Sequence, residues 1–349
     1  MRNGARALVS VSCATVLLSV GVVASADTVV NGPVFGISTA PNGDIVVADA
    51  SSGVLTIRNG AVTRSIDLPG LTDVDSIGGG SMWALAGASG EPTADTGQAL
   101  YRVSNGTARQ LVNLFEFEAT ENPDGNDPFD SNPFDVESLG GNSALVVDAG
   151  GNDLLEVDNQ GNVSVLAVFP DELVSTANIK ELAGCPEPSP FDFVCGLPAM
   201  IPGQAVPTSV AVGPDGYYYV GELKGFPAPT GASNIWRVAP GASWAECGSS
   251  SDCVKVFDGG FTSIIDLQFG SDGQLYVAEL DEASWASVEI LGQVTGGTIN
   301  KCDVTSLDCE VVADGIPVLT SITFGKDGSL WATRNALTPG SAEVFQVLP

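Results

Sequence analysis

Apolar and polar positions alternate along most of this chain, and the alternation returns in a fixed order. "VPTSVAVGPDGYYYVGEL" from Val206, "SIIDLQFGSDGQLYVAEL" from Ser263 and "LTSITFGKDGSLWATRN" from Leu319 each join a β-branched run, a Gly-centred turn and a second apolar run. Aligned on the turn, six copies emerge, beginning at Phe35, Thr72, Phe134, Thr208, Ile265 and Thr320. Each predicts a hairpin, because Asn-Gly and Asp-Gly supply the positive φ angles that a tight connection requires. A third strand pattern follows at Val54, Ala99, Leu154, Asn234, Gly297 and Glu343, and a fourth follows in all copies except the last.

Four antiparallel strands repeated six times predict an all-β chain folded as a six-bladed β-propeller. A lone four-stranded sheet cannot bury both faces, whereas a ring packs each face against the next blade. The sixth copy reaches Pro349 one strand short, and "DTVVNG", Asp27 to Gly32, is a spare strand pattern. It is expected to complete the last blade and fasten the ring, leaving no unpaired seam. Two insertions interrupt the rhythm, at 115–132 and at 170–207, and long connections on a regular scaffold commonly carry specificity.

Residues 1–26 are set apart from this pattern. Arg2 and Arg6 precede an apolar run to Val23, then Ala24-Ser25-Ala26, which together read as a secretory signal peptide. The run is shorter than the roughly 20 residues a spanning helix needs. Cys13 lies inside it behind a poor lipoprotein box, so a secreted or periplasmic protein without a lipid anchor or membrane span is expected. The propeller would then occupy residues 27–349 as a single domain.

The full chain has 13 Lys and Arg against 42 Asp and Glu, a net charge of −29. Such acidity repels nucleic acid and anionic membranes and suits a solvated surface, a cation or a basic partner. There is no histidine. His-based zinc sites and Ser-His-Asp relays are thereby excluded, leaving carboxylates, Tyr, Lys or an oxygen-held metal for any chemistry. Six cysteines outside the leader fall into near pairs, Cys185 with Cys195, Cys247 with Cys253 and Cys302 with Cys309, and disulfides are expected.

Repeat alignment exposes two rings of equivalent residues. The first, at the head of the inner strand, is Gly36, Asp73, Asp135, Ser209, Asp266 and Ser321, expected at the mouth of a central channel. Its polar members are candidate binding residues. The second, at the end of the second strand, is Asp49, Ala86, Asp148, Glu222, Glu279 and Arg334; it reads either as caps on backbone amides or, through Glu222 and Glu279, as part of a binding mouth. Second-strand aromatics such as Trp83, Tyr219, Tyr276 and Trp331 suit packing between blades, while Phe226, on a Pro/Gly loop, suits exposed binding. In the first insertion Asp124, Asn126, Asp127 and Asp130 are candidate ligands for calcium, although their spacing departs from the EF-hand loop. Asn105 and Asn162 open glycosylation sequons.

"DSNPFDVESL", "VVDAGGNDLLEVDNQG" and "VPTSVAVGPDGYYYVGELKGFPAPTGASNIWRVAPG" resemble the secreted ScyD/ScyE family, NHL-like propellers named after proteins encoded with scytonemin biosynthesis in cyanobacteria. The resemblance spans nearly the whole chain after the leader and implies an exported six-bladed propeller. It brings no catalytic constellation. A more distant similarity is to gluconolactonase and SMP-30 propellers, which hold a divalent metal with Glu, Asn and Asp at the heads of inner strands. The matching positions here are Phe35, Thr72, Phe134, Thr208, Ile265 and Thr320, which cannot rebuild that oxygen cage. The expected function is therefore a monomeric binding or scaffold module for an unidentified small molecule or extracellular protein. The alternative is a calcium-assisted lactonase-like hydrolase using Asp73, Asp135 and Asp266.

Overall fold

The computed structural model describes residues 27–87, 97–186 and 191–348. Six four-stranded antiparallel blades form the fold; in the first five the strands run in chain order from the inside outward, and Ala245–Glu246 adds in parallel to the outer edge of blade 3. The inner strands are Val34–Thr39, Leu71–Gly78, Pro133–Ser138, Pro207–Val212, Ile264–Phe269 and Ile322–Phe324. Each touches the inner strand of the next blade, and the sixth touches the first, so the circle closes.

The core lies between the sheets. Val46, Val54 and Ile66 of blade 1 pack with Leu71, Val74 and Met82 of blade 2, and equivalent clusters fill the other five interfaces. Because both faces of each sheet are covered, second strands such as Ile45–Asp49 are buried at every residue instead of alternating. Trp83 and Tyr219 are among the largest fully buried side chains, in agreement with a packing role.

Thr28–Val30 supplies the outer strand of blade 6, pairing Thr28 with Val344 and Val30 with Ala342. The three expected disulfides form. No helix of the described residues is long and apolar enough to cross a membrane. Residues 1–26, read from the sequence as a signal peptide, lie outside the described residues.

The hairpin turns are longer than two-residue connections, and their chemistry is divided differently from the expectation. Gly43, Gly216, Gly273 and Gly328 carry the positive φ. The preceding Asn42, Asp215, Asp272 and Asp327 instead accept the backbone N–H two residues on through Oδ1. This Asx turn explains why the phrase needs an acid or amide before its glycine.

Both insertions contain structure that period-two reading missed. Leu114–Glu121 is a helix capped by Asn113, whose side chain accepts the Glu116 N–H at 3.0 Å. The second insertion folds as the hairpin Glu172–Ser175 with Met200–Gly203 and the short helices Ala177–Leu182 and Asp192–Cys195. Ile179 and Val194 bury a satellite core against Ala228 and Ala286.

Candidate functional site

In blades 1 to 5 the inner strand breaks register just after its first residue, the bulged residues being Phe35, Thr72, Phe134, Thr208 and Ile265, whereas the shorter inner strand of blade 6 pairs without a break. A bulge re-aims the following side chains, and here the next one reaches the neighbouring blade. Asp73 Oδ2 accepts the Val136 N–H at 3.0 Å, Asp135 Oδ2 accepts the Val210 N–H at 2.6 Å and Asp266 Oδ2 accepts the Ile322 N–H at 2.7 Å. Ser321 Oγ donates to Asp266 and accepts from the Ile37 N–H at 3.1 Å. The first sequence ring is thus a set of clasps, each blade holding the backbone of the next. Blades 1 and 4 are the exceptions: Gly36 has no side chain to offer, and the buried Ser209 Oγ has no partner.

The clasp repeats two residues further along. Asp75 Oδ2 accepts the Ser138 N–H at 3.0 Å, and Glu137 accepts from the Val212 N–H. At the bulge, and at the equivalent position of blade 6, the residues alternate around the ring. Thr72, Thr208 and Thr320 donate their hydroxyls to the carbonyls of Pro133, Ile264 and Val34. Phe35, Phe134 and Ile265, from the other three blades, turn into the axial cavity. The Phe35 and Phe134 rings meet edge to face at 5.5 Å. The positions that would have to hold a metal in a lactonase-like channel therefore carry an apolar plug and three committed hydroxyls.

Asp73, Asp75, Asp135, Glu137 and Asp266 line this cavity, and no Lys or Arg does. Burial pushes all five carboxyls up, Asp75 to about 6 and Asp73, Glu137 and Asp266 well above the ordinary range; neighbouring carboxylates add to the effect in all but Asp135, where the hydrogen bond with Asp73 opposes it. The cavity measures about 20 Å³. A single buried water needs roughly 10–15 Å³, so an organic substrate does not fit.

Glu222 and Glu279 stand apart from this cavity. They end the second strands, one strand outward, and act as caps: Glu279 accepts from the Thr262 N–H and from Asn300 Nδ2. Asp49 and Asp148 do the same for Gly32, Ser51 and Ser52, and for Asn132, Gly150 and Gly151. Glu222 binds Trp236 Nε1 at 2.6 Å and lies 2.8 Å from Lys224 Nζ. Phe226 is exposed on its loop, away from the axis.

The candidate calcium residues lie close together, Asp124 against Asn126 and the other three on one pocket, but their oxygens are partly taken up by local hydrogen bonds. Asp124 accepts from Asn126 N, Asn126 Nδ2 and Asn152 Nδ2, and Asp130 accepts from the Ser131 N–H. Asp127 borders a shallow pocket with Asn126 and Asp130. Among the described residues, no group of three or more His, Cys, Asp or Glu is placed to hold a metal ion.

Two features escaped the sequence. Lys224, fully buried, lies 2.7 Å from Glu172 and 2.8 Å from Glu222. Its only signal was a lysine beside a glutamate in a Pro/Gly loop. The other is a groove of about 490 Å³ lined by Pro123, Asp124, Asn126, Asp171, Trp244 and Glu246 among others. Trp244 is 50% exposed there. Its neighbours come from both insertions and from the blade 4 segment that pairs with the outer strand of blade 3, so no single stretch of sequence announces it.

No family model and no curated protein matches the sequence. Solved structures do match its shape. The soluble aldose sugar dehydrogenase of Escherichia coli aligns with TM-score 0.54 at 13% identity, covering 93% of this chain and 97% of that one. Regucalcin, a calcium-binding protein of Agrobacterium tumefaciens, gives 0.54 at 12% identity over 92% and 93%. A gluconolactonase of Xanthomonas campestris gives 0.52 at 12% identity over 93% and 88%. At these identities the likeness shows a shared propeller fold, with neighbours of the SMP-30 and gluconolactonase kind.

Proposed function

We propose that this chain is an exported, ScyD/ScyE-like propeller that works as a binding or scaffold module, taking its ligand in the Trp244 groove instead of the axial channel. The observation that carries this reading is the commitment of Asp73, Asp135 and Asp266 to the backbone of the next blade. A catalytic carboxylate must be free to take a proton or a metal; here one oxygen of each is held by the backbone of the next blade, and the small plugged cavity leaves no room for a substrate. The three disulfides are consistent with an oxidising compartment.

The groove has the dimensions of a small-molecule site. Its lining joins an exposed indole to three carboxylates, Asp124, Asp171 and Glu246, with no Lys or Arg. That chemistry favours a cationic or hydroxyl-rich ligand and rejects an anion. The test is a binding screen of neutral saccharides and organic cations read by tryptophan fluorescence. Trp244→Ala is expected to abolish the signal while Asp135→Asn keeps it; lactone hydrolysis that EDTA stops and Asp135→Asn removes would overturn the proposal in favour of a metal-assisted hydrolase.

A further inference from the structure

Helix Leu114–Glu121 carries Glu118 to the turn joining the strands Ser143–Asp148 and Asp153–Asp158 of blade 3. There both Glu118 and Asp153 are fully buried. Neither oxygen of Glu118 and neither oxygen of Asp153 has a hydrogen-bond partner, and Asn122 Oδ1, one helical turn beyond Glu118, also lacks one. After burial, the charge of Glu118 is the largest influence pushing the Asp153 carboxyl up. Gly151 makes the space: a Cβ at that position would stand 2.9 Å from Glu118 Cδ. Asp148, beside them, differs in being satisfied, by Ser131 Oγ and by the N–H groups of Asn132, Gly150 and Gly151.

Buried carboxylates without donors are costly, and a native structure that keeps them calls for a compensating group. No Lys or Arg among the described residues pairs with Glu118 or Asp153. We propose that Glu118, Asp153 and Asn122 Oδ1 hold a calcium ion that fastens the first insertion to blade 3. The donors are all hard oxygens, and the chain has no histidine to favour a softer metal. Calcium takes six to eight oxygens in flexible geometry and accepts carboxylates bidentately, so these side chains would supply five and leave the rest to water or backbone carbonyls, whereas magnesium demands a near-ideal octahedron with several waters. Two acids and one amide make this set, so it is distinct both from a cluster of three acids and from the Asp124–Asp130 residues that the sequence suggested. It is independent of the Trp244 groove and of the channel.

Protein stripped with EGTA and titrated with calcium chloride at neutral pH is expected to bind one ion per chain by calorimetry. The dissociation constant should fall between about 10⁻⁶ and 10⁻³ M, and saturating calcium should raise Tm by several degrees. Glu118→Gln and Asp153→Asn should each weaken binding at least tenfold and remove most of the Tm rise. Asn122→Gly, which keeps the left-handed backbone of this helix end (φ 43°), removes one neutral oxygen and keeps the test readable if an acidic variant does not fold. Absence of binding in the unaltered protein would overturn the proposal, and a higher metal-free Tm in Glu118→Gln would then identify the pair as two carboxyls sharing a proton. Binding that survives all three substitutions, or that Asp135→Asn alone removes, would overturn it as well.

Discussion

Asp73 places its carboxylate where a side chain on Gly36 would stand, so blade 2 fills the one gap in the inner ring of blade 1. The ring position is occupied by Asp or Ser in the other five blades, and Gly36 is glycine because its neighbour has taken the space. Gly36→Ala should therefore cost about 1–3 kcal/mol through overpacking. In an Asp73→Ser background the same substitution should cost less, with a coupling of at least about 0.5 kcal/mol in urea denaturation. Strict additivity of the two changes would show that they do not share this space.

Stability should fall as pH rises from about 4 through about 6. Burial pushes Asp75 and Asp148 up to about 6, so between the unfolded value near 3.9 and that point the folded chain holds protons that the unfolded chain has released. Their contribution is fully present below about pH 4 and is lost as pH rises through about 6. Glu172 works in the opposite sense: burial opposes its charge, but Lys224 and Lys255 hold its carboxyl down at about 2, and the stability it confers is lost as pH falls toward that value. Metal-free protein should accordingly show its highest Tm near pH 4. Asp75→Asn keeps an acceptor for the Ser138 N–H and removes the titration, so it should flatten the profile and stabilise the protein above pH 7 by up to about 3 kcal/mol. A Tm that climbs between pH 5 and 8 in both proteins would contradict the assignment.

Removing residues 27–32 should open the ring. Thr28–Val30 is the outer strand of blade 6, Val30 is buried in the core shared by blades 6 and 1, and the Gly32 N–H is held by Asp49 at 2.8 Å. Burial of Val30 alone contributes about 1.5–3 kcal/mol, so the deletion should lower Tm by several degrees and Val30→Ala by less. The deletion also bares the strand Ala342–Leu348 as an edge, and concentration-dependent aggregation should accompany the loss. An unchanged melting curve would mean that closure lies elsewhere.

The fold was legible because its signals are local and repeated. A β-branched run, an Asx-Gly turn and a second run recur at Phe35, Thr208, Ile265 and Thr320, and any one copy constrains the others. The last blade could be completed from the N-terminus for the same reason, since a missing strand and a spare one are both visible. The ring of Asp73, Asp135 and Asp266 was legible as a ring and not as a set of clasps, because their partners are backbone N–H groups one blade away, which carry no residue signature. Helix Leu114–Glu121 was hidden because Phe115, Glu116, Phe117 and Glu118 alternate apolar and acidic, which is the period of a strand. Glu118 and Asp153 are 35 residues apart in sequence, and nothing in either neighbourhood announces the other.

Lys224 binds the second insertion to the propeller through charge. Its ammonium is fully buried between Glu172, which the insertion supplies, and Glu222, which ends the second strand of blade 4; Asn234 Nδ2 bridges the same two carboxylates at 2.7 Å each. Replacing Lys224 with Met leaves Glu222 buried with its charge uncompensated, a change that costs about 3–5 kcal/mol when one partner of a buried pair is removed. Glu172 is partly exposed, so Glu172→Gln should cost less, yet it should release the hairpin Glu172–Ser175 from blade 4. Hydrogen exchange is the discriminating measurement. In Glu172→Gln, amides of residues 172–175 and 200–203 should exchange faster while those of the second strand of blade 4, Tyr218–Glu222, keep their protection. Lys224→Met combined with Glu222→Gln should recover most of the stability lost in Lys224→Met, because the buried charge disappears with its partner. If the double variant is no more stable than the single one, the pair contributes through packing of the lysine stem and not through the compensation of Glu222.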